Sequence, residues 1–381
     1  MKIAFDIRGV SDHPAGKGIW TKNVMETMMK AHPEHEYFFL TDKKEPSISK
    51  HYPLAQFILV EGGGLRWHWS AYQALLTQKI DFFLASESYL IPYFHSPKKL
   101  KIGLVVHDLV VFKSPAKHQK KATWIERLTL KKAAQKSQWI FTVSENTKKD
   151  LREQYPNLNL ETKTHVVYAG IRPQFLQPVD LHTAKKTLEK FALPSHFLLM
   201  ASTLEPRKNI LGTIRAYAKL PDVLRQSYPL AIAGKKGWYF EQIFEEVKHL
   251  GLQKHVHFLG YVSDKELVHL MHLTTLFLFP SFYEGFGLPV LEAMAVGAPV
   301  LTSNNSSLPE VGGEAAVYVD PYDVEAMAKS MESLLVNEPG RQKLIQSGAT
   351  QLSRFSWEKA VKEMMRWLGA SPSPSERGGQ N

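Results

Sequence analysis

The 381-residue chain is 44% hydrophobic and 22% charged and has no cysteine. That length and apolar content call for two cores and exclude a chain disordered throughout, and the missing thiols exclude disulfides, thiolate catalysis and sulfur-ligated zinc. The formal net charge of +10 is confined to one half: residues 1–175 hold 26 Lys and Arg against 16 Asp and Glu, whereas residues 176–381 hold 21 of each, which points the first half at an anionic partner or a solubilising surface.

The opening Met1-Lys2-Ile3-Ala4-Phe5-Asp6 enters a strand pattern at once with charge inside it, unlike the layout of a signal peptide. The longest apolar runs, such as Leu276 to Pro280, fall well short of the roughly 20 residues of a spanning helix. A cytoplasmic location is expected. In chain order, strand patterns occupy Lys2 to Ile7, Tyr37 to Leu40, Phe57 to Val60, Phe82 to Ala85, Ile102 to Val106 and Trp139 to Val143. They resume at Phe197 to Ala201, Leu230 to Gly234, Val256 to Leu259, Leu276 to Pro280, Pro299 to Thr302 and Ala316 to Asp320. Longer helical patterns separate them, so the expected fold class is α/β, with two doubly wound, Rossmann-like parallel sheets. Pro173 and Pro178 break the stretch Ile171 to Asp180, the expected seam. The resulting divisions are a first domain at 1–175, a second at 176–356, a terminal helix at 357–370 and a disordered tail at 371–381. Val361, Met364, Met365 and Leu368 share one face of that helix, which is expected to cross back to the first domain. Because open parallel sheets bind ligands at their carboxyl ends, a ligand is expected in a cleft between the domains.

Several short stretches carry candidate chemistry. Gly16-Lys17-Gly18 follows the first strand and opens a helical pattern, which brings backbone close to a phosphate. Thr21 stands where a dinucleotide fingerprint wants a third small residue, so the motif is incomplete. Gly62 to Trp69 is a glycine run beside Trp67 and Trp69, either an exposed aromatic loop or core. His107-Asp108 ends the fifth strand pattern, with Asp108 expected to orient the loop or His107. Between Lys113 and Lys136 eight cations face the single acid Glu126, with Trp124, Ile125, Leu128 and Leu130 interleaved. As a helix this is basic and amphipathic, suited to an anionic membrane surface or to a solvated face. Arg207-Lys208 follows the strand Phe197 to Ala201, where cations can neutralise a diphosphate.

The most informative stretch runs from Pro280 to Glu292. A buried strand ends, a turn holds Gly285, Phe286, Gly287 and Leu288, and Pro289 falls in a first helical turn that Gly297 later closes. The turn's N–H groups and the helix dipole suit an anion such as a diphosphate. Glu284 adjoins whatever the turn binds, whereas Glu292 lies about two helical turns along, behind the phosphates. The first can stabilise positive charge developing on a sugar, and the second can accept hydrogen bonds from ribose hydroxyls.

This Glu-x7-Glu segment resembles the signature of the retaining nucleotide-sugar glycosyltransferases of family 4. Ala201 to Asn209 (ASTLEPRKN), Ala231 to Trp238 (AIAGKKGW), His257 to Tyr261 (HFLGY), Val143-Ser144-Glu145 and Val167 to Ile171 (VYAGI) are also similar to family stretches, from Met1 to about Leu368. The nearest likeness is to the mannosyltransferase-like branch that builds bacterial surface polysaccharides. The resemblance implies the GT-B architecture, two Rossmann-like domains facing across a cleft, with the acceptor held mainly by the first and the nucleotide-sugar donor by the second. It implies catalytic Glu284 and His107, the latter on the donor sugar, and donor contacts from Gly16, Gly18, Arg207, Lys208, Gly285 to Leu288 and Glu292. The base falls to backbone near Tyr261 and Val262. Some members place an arginine six residues before the lysine, where this chain has Ser202.

The sequence has no Asp-x-Asp and no His-Glu-x-x-His, and its sixteen histidines are scattered, so no metal and no cofactor is expected. Gly-x-Ser-x-Gly and Gly-Lys-Ser/Thr loops are missing too, which leaves hydrolase and ATPase readings without residues. The expected partners are a nucleotide-sugar, favoured as GDP-mannose by the resemblance, a glycan or lipid-linked glycan, and an anionic membrane surface. UDP-sugars, a nucleotide-sugar epimerase, a phosphorylase of the same fold and a basic nucleic-acid-binding module are the alternatives.

Overall fold

The computed structural model describes residues 1–10, 16–43, 46–96, 100–113 and 120–369, without the side chains of 46, 47, 49 and 120–124. The expected tail at 371–381, Lys117 and the side chains of Lys120, Lys121 and Trp124 lie outside that description.

All twelve strand patterns form strands: β1 (Lys2–Asp6), β2 (Glu36–Thr41), β3 (Gln56–Leu59), β4 (Phe82–Ala85), β5 (Lys101–Val106) and β6 (Trp139–Thr142), then β8 (Leu198–Ala201), β9 (Leu230–Ala233), β10 (Val256–Gly260), β11 (Leu276–Phe279), β12 (Val300–Ser303) and β13 (Ala316–Val319). One more, β7 (Thr164–Val166), escapes the sequence because three residues show no periodicity. The strands pair in parallel into two sheets, ordered β3-β2-β1-β4-β5-β6-β7 and β10-β9-β8-β11-β12-β13. Parallel sheets are covered on both faces, which is why β4, β8, β9, β11 and β12 read as unbroken buried runs rather than alternating ones. In each sheet the chain order reverses once, between β1 and β4 and between β8 and β11. Such a switch point splays the two flanking loops apart and leaves a crevice at the strand carboxyl ends.

The chain divides into two compact units, the first comprising Met1–His107, Trp124–Gly170 and the segment from Ser356, and the second Asp108–Thr123 and Ile171–Phe355. The expected boundary after residue 175 differs on two counts. The first unit ends at Gly170, and the segment beginning at Asp108 groups with the second. Leu109 N–H donates to Tyr283 Oη at 3.3 Å, and Val110 and Val111 pack on the Tyr283 ring. The C-terminal helix (Trp357–Gly369) belongs to the first unit, packed on the Lys17–Ala31 helix with Val361, Met364 and Leu368 buried. Gly170 permits that junction, since a Cβ there would lie 2.3 Å from Trp357 N.

Candidate active site

The second unit's switch point gathers charge. After β8 the chain turns through Glu205-Pro206-Arg207-Lys208, and after β11 it reaches Glu284. Glu284 is only 7% exposed and sits between two cations, accepting from Arg207 Nη1 and Lys208 Nζ at 2.7 Å each. Arg207 also donates from Nη2 to Glu205 Oε1 at 2.7 Å and from Nη1 to the Tyr283 carbonyl at 2.9 Å. Burial alone would raise the Glu284 carboxyl, but Arg207 and Lys208 outweigh it and hold its pKa down at about 2. Burial and the neighbouring Arg207 push Lys208 below the usual lysine value, while Arg207 is held above its own, its acids outweighing its burial. Two acids and two cations thus form a neutral, desolvated cluster. Ser202, where some family members have arginine, buries a hydroxyl without a partner among the described residues. Gly234, after β9, lets its loop approach the one after β8, because at φ +154° a Cβ would stand 1.8 Å from the Ser202 carbonyl.

The turn from Glu284 to Gly287 is pinned from β12 and the loop after it. Thr302 donates to the Phe279 carbonyl, Ser303 to Ser281 and Asn305 to Phe282, at 2.7–3.0 Å. Ser307 Oγ lies 3.0 and 2.7 Å from the Glu284 and Phe286 carbonyls, and Glu284 N–H donates to Ser306 Oγ at 3.1 Å. These bonds engage the carbonyls of Phe279, Ser281, Phe282, Glu284 and Phe286 and so restrain the turn. Gly287, at φ +113°, is the N-cap of the Leu288–Ala295 helix and lets the chain enter it. The N–H groups of Gly287 and Leu288 have no hydrogen-bond partner among the described residues, as expected of a helix start. Sequence spacing discloses neither this Thr302 to Ser307 clamp nor the Glu205 bond to Arg207, because runs of Ser, Thr and Asn signal loops and not what a loop holds.

Glu292, 2% exposed, faces Arg172, which donates from Nε at 2.5 Å and Nη2 at 3.1 Å to its two oxygens. Arg172 Nη1 also binds Asp264 Oδ1 at 2.8 Å. Burial pushes the Glu292 carboxyl up, and Arg172 partly offsets this. Tyr261 and Val262 occupy the turn between β10, the edge strand, and the Asp264–Leu273 helix, which Ser263 and Glu266 start with a reciprocal capping box. Lys235 Nζ lies 4.6 Å from the Tyr261 ring centre.

In the first unit, Gly16 caps the Lys17–Ala31 helix at φ +45°, with none of the described residues within 4 Å of where a Cβ would stand, and Gly18 is buried in the first turn. His107 follows β5. Its Nε2 lies 3.0 Å from the Ser86 carbonyl and therefore carries the proton, and Trp20 meets its ring edge-on at 5.4 Å. Asp108 accepts the Val110 N–H at 3.0 Å, a contact that shapes the loop. Trp67 is core, donating to the Val60 carbonyl at 2.8 Å, whereas Trp69 is half exposed. The one group of described residues able to hold a metal ion, His32, Glu34 and His35, precedes β2. That is the amino end of the sheet, opposite the switch point.

Two open parallel sheets, each reversing order at a polar crevice, make this a double-Rossmann α/β protein of the GT-B class. Residues 183–351 match a family model described as glycosyl transferases group 1. The chain is 33% identical over 276 residues to O-antigen chain mannosyltransferase B of Escherichia coli, covering 71% of each. It is 32% identical over 300 residues to the serotype-specific mannosyltransferase WbdA of Escherichia coli, covering 77% of this chain and 37% of that longer one. Among solved structures, sucrose-phosphate synthase from Thermosynechococcus elongatus aligns with a TM-score of 0.78 at 18% identity, over 96% of this chain and 98% of that one. The protein belongs to the group 1 glycosyltransferases.

Proposed function

We propose that the protein transfers mannose from GDP-mannose, with retention of configuration and without a metal ion, to a glycan or lipid-linked glycan in cell-surface polysaccharide synthesis. The observation that carries donor binding is the Glu284 carboxylate held between Arg207 and Lys208 at a switch point, beside a helix start with unpaired N–H groups. Arg207 and Lys208 neutralise the departing diphosphate, the Gly285 to Leu288 turn receives it, and Glu284 faces the sugar. Glu292 shares its remaining lone pairs with the ribose, since a carboxylate has about four and Arg172 takes two. His107 contacts the donor sugar, Gly16 and Gly18 approach the diphosphate, and backbone at Tyr261 and Val262 holds the base. The names of the bacterial mannosyltransferases it resembles support mannose.

A panel of GDP-mannose, UDP-glucose and UDP-galactose, read by thermal shift and donor hydrolysis with and without EDTA, tests this. GDP-mannose at a hundred times its Kd stabilises by about 2.7 kcal/mol, and turnover survives EDTA. A UDP-sugar that outperforms it replaces the donor, and a strict need for manganese or magnesium rejects metal independence.

Peripheral attachment to an anionic surface on the cytoplasmic face is the companion proposal. No described helix is long and apolar enough to cross a membrane. In the Lys120–Lys136 helix, Leu130, Ala133 and Ala134 are buried, while Leu128 is 64% exposed and Ile125, Lys131 and Lys132 are exposed too. Each basic residue near the surface is worth about 1 kcal/mol, and salt screens it. Vesicles of phosphatidylserine should co-sediment the protein at low salt, and vesicles of phosphatidylcholine should not. Equal sedimentation refutes the attachment.

A further inference from the structure

The first unit repeats the second unit's arrangement at its own switch point, with one difference. In the loop after β8 the order is Glu205-Pro206-Arg207, and from the last residue of β1 onward it is Asp6-Ile7-Arg8. In each, the arginine folds back on the acid two residues before it, Arg207 Nη2 to Glu205 and Arg8 Nη2 to Asp6, both at 2.7 Å. In each, a glutamate comes from the strand across the reversal, Glu284 after β11 and Glu87 after β4. In the second unit arginine and glutamate bond to each other. In the first they do not.

Arg8 is fixed on every side but one. Asp6, 1% exposed, takes its Nε at 2.9 Å and its Nη2, and the guanidinium lies 3.6 Å above the Trp67 ring. His68 donates from Nδ1 to the Gly64 carbonyl at 2.8 Å, and burial keeps the ring neutral, so its Nε2 accepts from Arg8 Nη2 at 3.3 Å. Nη1, with two N–H groups, has no partner among the described residues, and the side chain keeps 23% of its surface exposed. Glu87 is braced likewise. Its Oε1 accepts from Thr21 Oγ1 at 3.0 Å, and its carboxylate lies where a Cβ on Gly9 would stand 2.4 Å from Oε2. Oε2 has no hydrogen-bond partner among the described residues. Burial, and after it the Asp6 charge, raises the Glu87 pKa, so a further donor at Oε2 would relieve a poorly solvated charge.

A held arginine with spare donors, beside a held carboxylate with a spare acceptor, complements a group that both accepts and donates. Sugar hydroxyls do both. We propose that Arg8 and Glu87 form the hydroxyl-recognition site for the sugar end of the acceptor and help determine which acceptor is used. This rests on the glycan-acceptor reading above. The geometry of the second unit explains the difference: there the same pair is closed because its ligand brings negative charge for the cations, whereas an uncharged hydroxyl needs the pair left open.

The test measures binding of methyl α-D-mannoside, methyl α-D-glucoside, methyl α-D-galactoside and their monodeoxy analogues to the full-length protein by saturation-transfer NMR, with no donor present. Glu87→Gln and Arg8→Lys should weaken the best-bound glycoside tenfold or more, the loss typical of a charge-assisted hydrogen bond. One deoxy analogue should bind wild type and Glu87→Gln alike, a coupling that a purely structural role does not produce. Melting curves of both variants report folding, and Thr21→Val, which removes the brace on Oε1 together with the Thr21 hydroxyl contacts to Ser86 and the Lys17 carbonyl, gives an independent smaller loss if either variant unfolds. No binding of any glycoside to wild type, or affinity unchanged in a folded variant, overturns the proposal. Because no donor is used, it can hold even where the donor panel rejects GDP-mannose.

Discussion

Glu284→Gln should lower kcat ten- to a hundredfold while the Kd for GDP does not rise. Glu284 gives Arg207 and Lys208 their anionic partner in the free protein. Gln keeps the shape and one acceptor oxygen but leaves Lys208 without a carboxylate partner and Arg207 with Glu205 alone, so the site binds a diphosphate at least as well. What is lost is a negative charge beside the sugar, felt as positive charge develops in the transition state. Losing charged hydrogen bonds costs about 1.5–3 kcal/mol, which gives the stated range. Steady-state kinetics with GDP-mannose and calorimetry with GDP separate the two quantities. A weaker GDP complex with kcat intact would mean that Glu284 organises the phosphate site and does not act on the sugar.

Arg172→Ala should cost about 3–5 kcal/mol of stability, because it leaves Glu292 charged and 2% exposed without its partner. The double variant Arg172→Ala with Glu292→Gln should recover much of the loss. The dependence on pH has a definite sign. Burial raises the folded-state pKa of Glu292 above the ordinary 4.5, and removing the guanidinium raises it further. A carboxyl whose pKa is raised on folding stabilises fully below its unfolded value and loses that contribution as pH rises through the folded one. The variant's deficit should therefore be smaller at pH 5 than at pH 7.5, measured by urea melts against wild type at each pH. A pH-independent deficit would place the cost in the lost Arg172 packing on Phe175, 4.6 Å from its ring centre, or in the Asp264 contact.

The sequence by itself determined the two-sheet architecture. Short runs such as Phe82 to Ala85 and Leu276 to Phe279 are buried on both faces, so each is apolar throughout and bounded by turn residues. It also determined the Glu284 to Gly297 segment, because a helix start, its proline and its glycine stop are local properties of adjacent residues. Only the tertiary structure decided which groups neutralise one another. Arg172 and Glu292 are separated by 120 positions, and Lys208 and Glu284 by 76, and no local pattern couples them. The grouping of Asp108 with the second unit turns on the Tyr283 hydroxyl, and the position of Glu87 beside Arg8 turns on a strand order that reverses between β1 and β4. Sequence spacing fixes what lies at the end of one strand, whereas the order in which strands pair fixes which of those ends become neighbours.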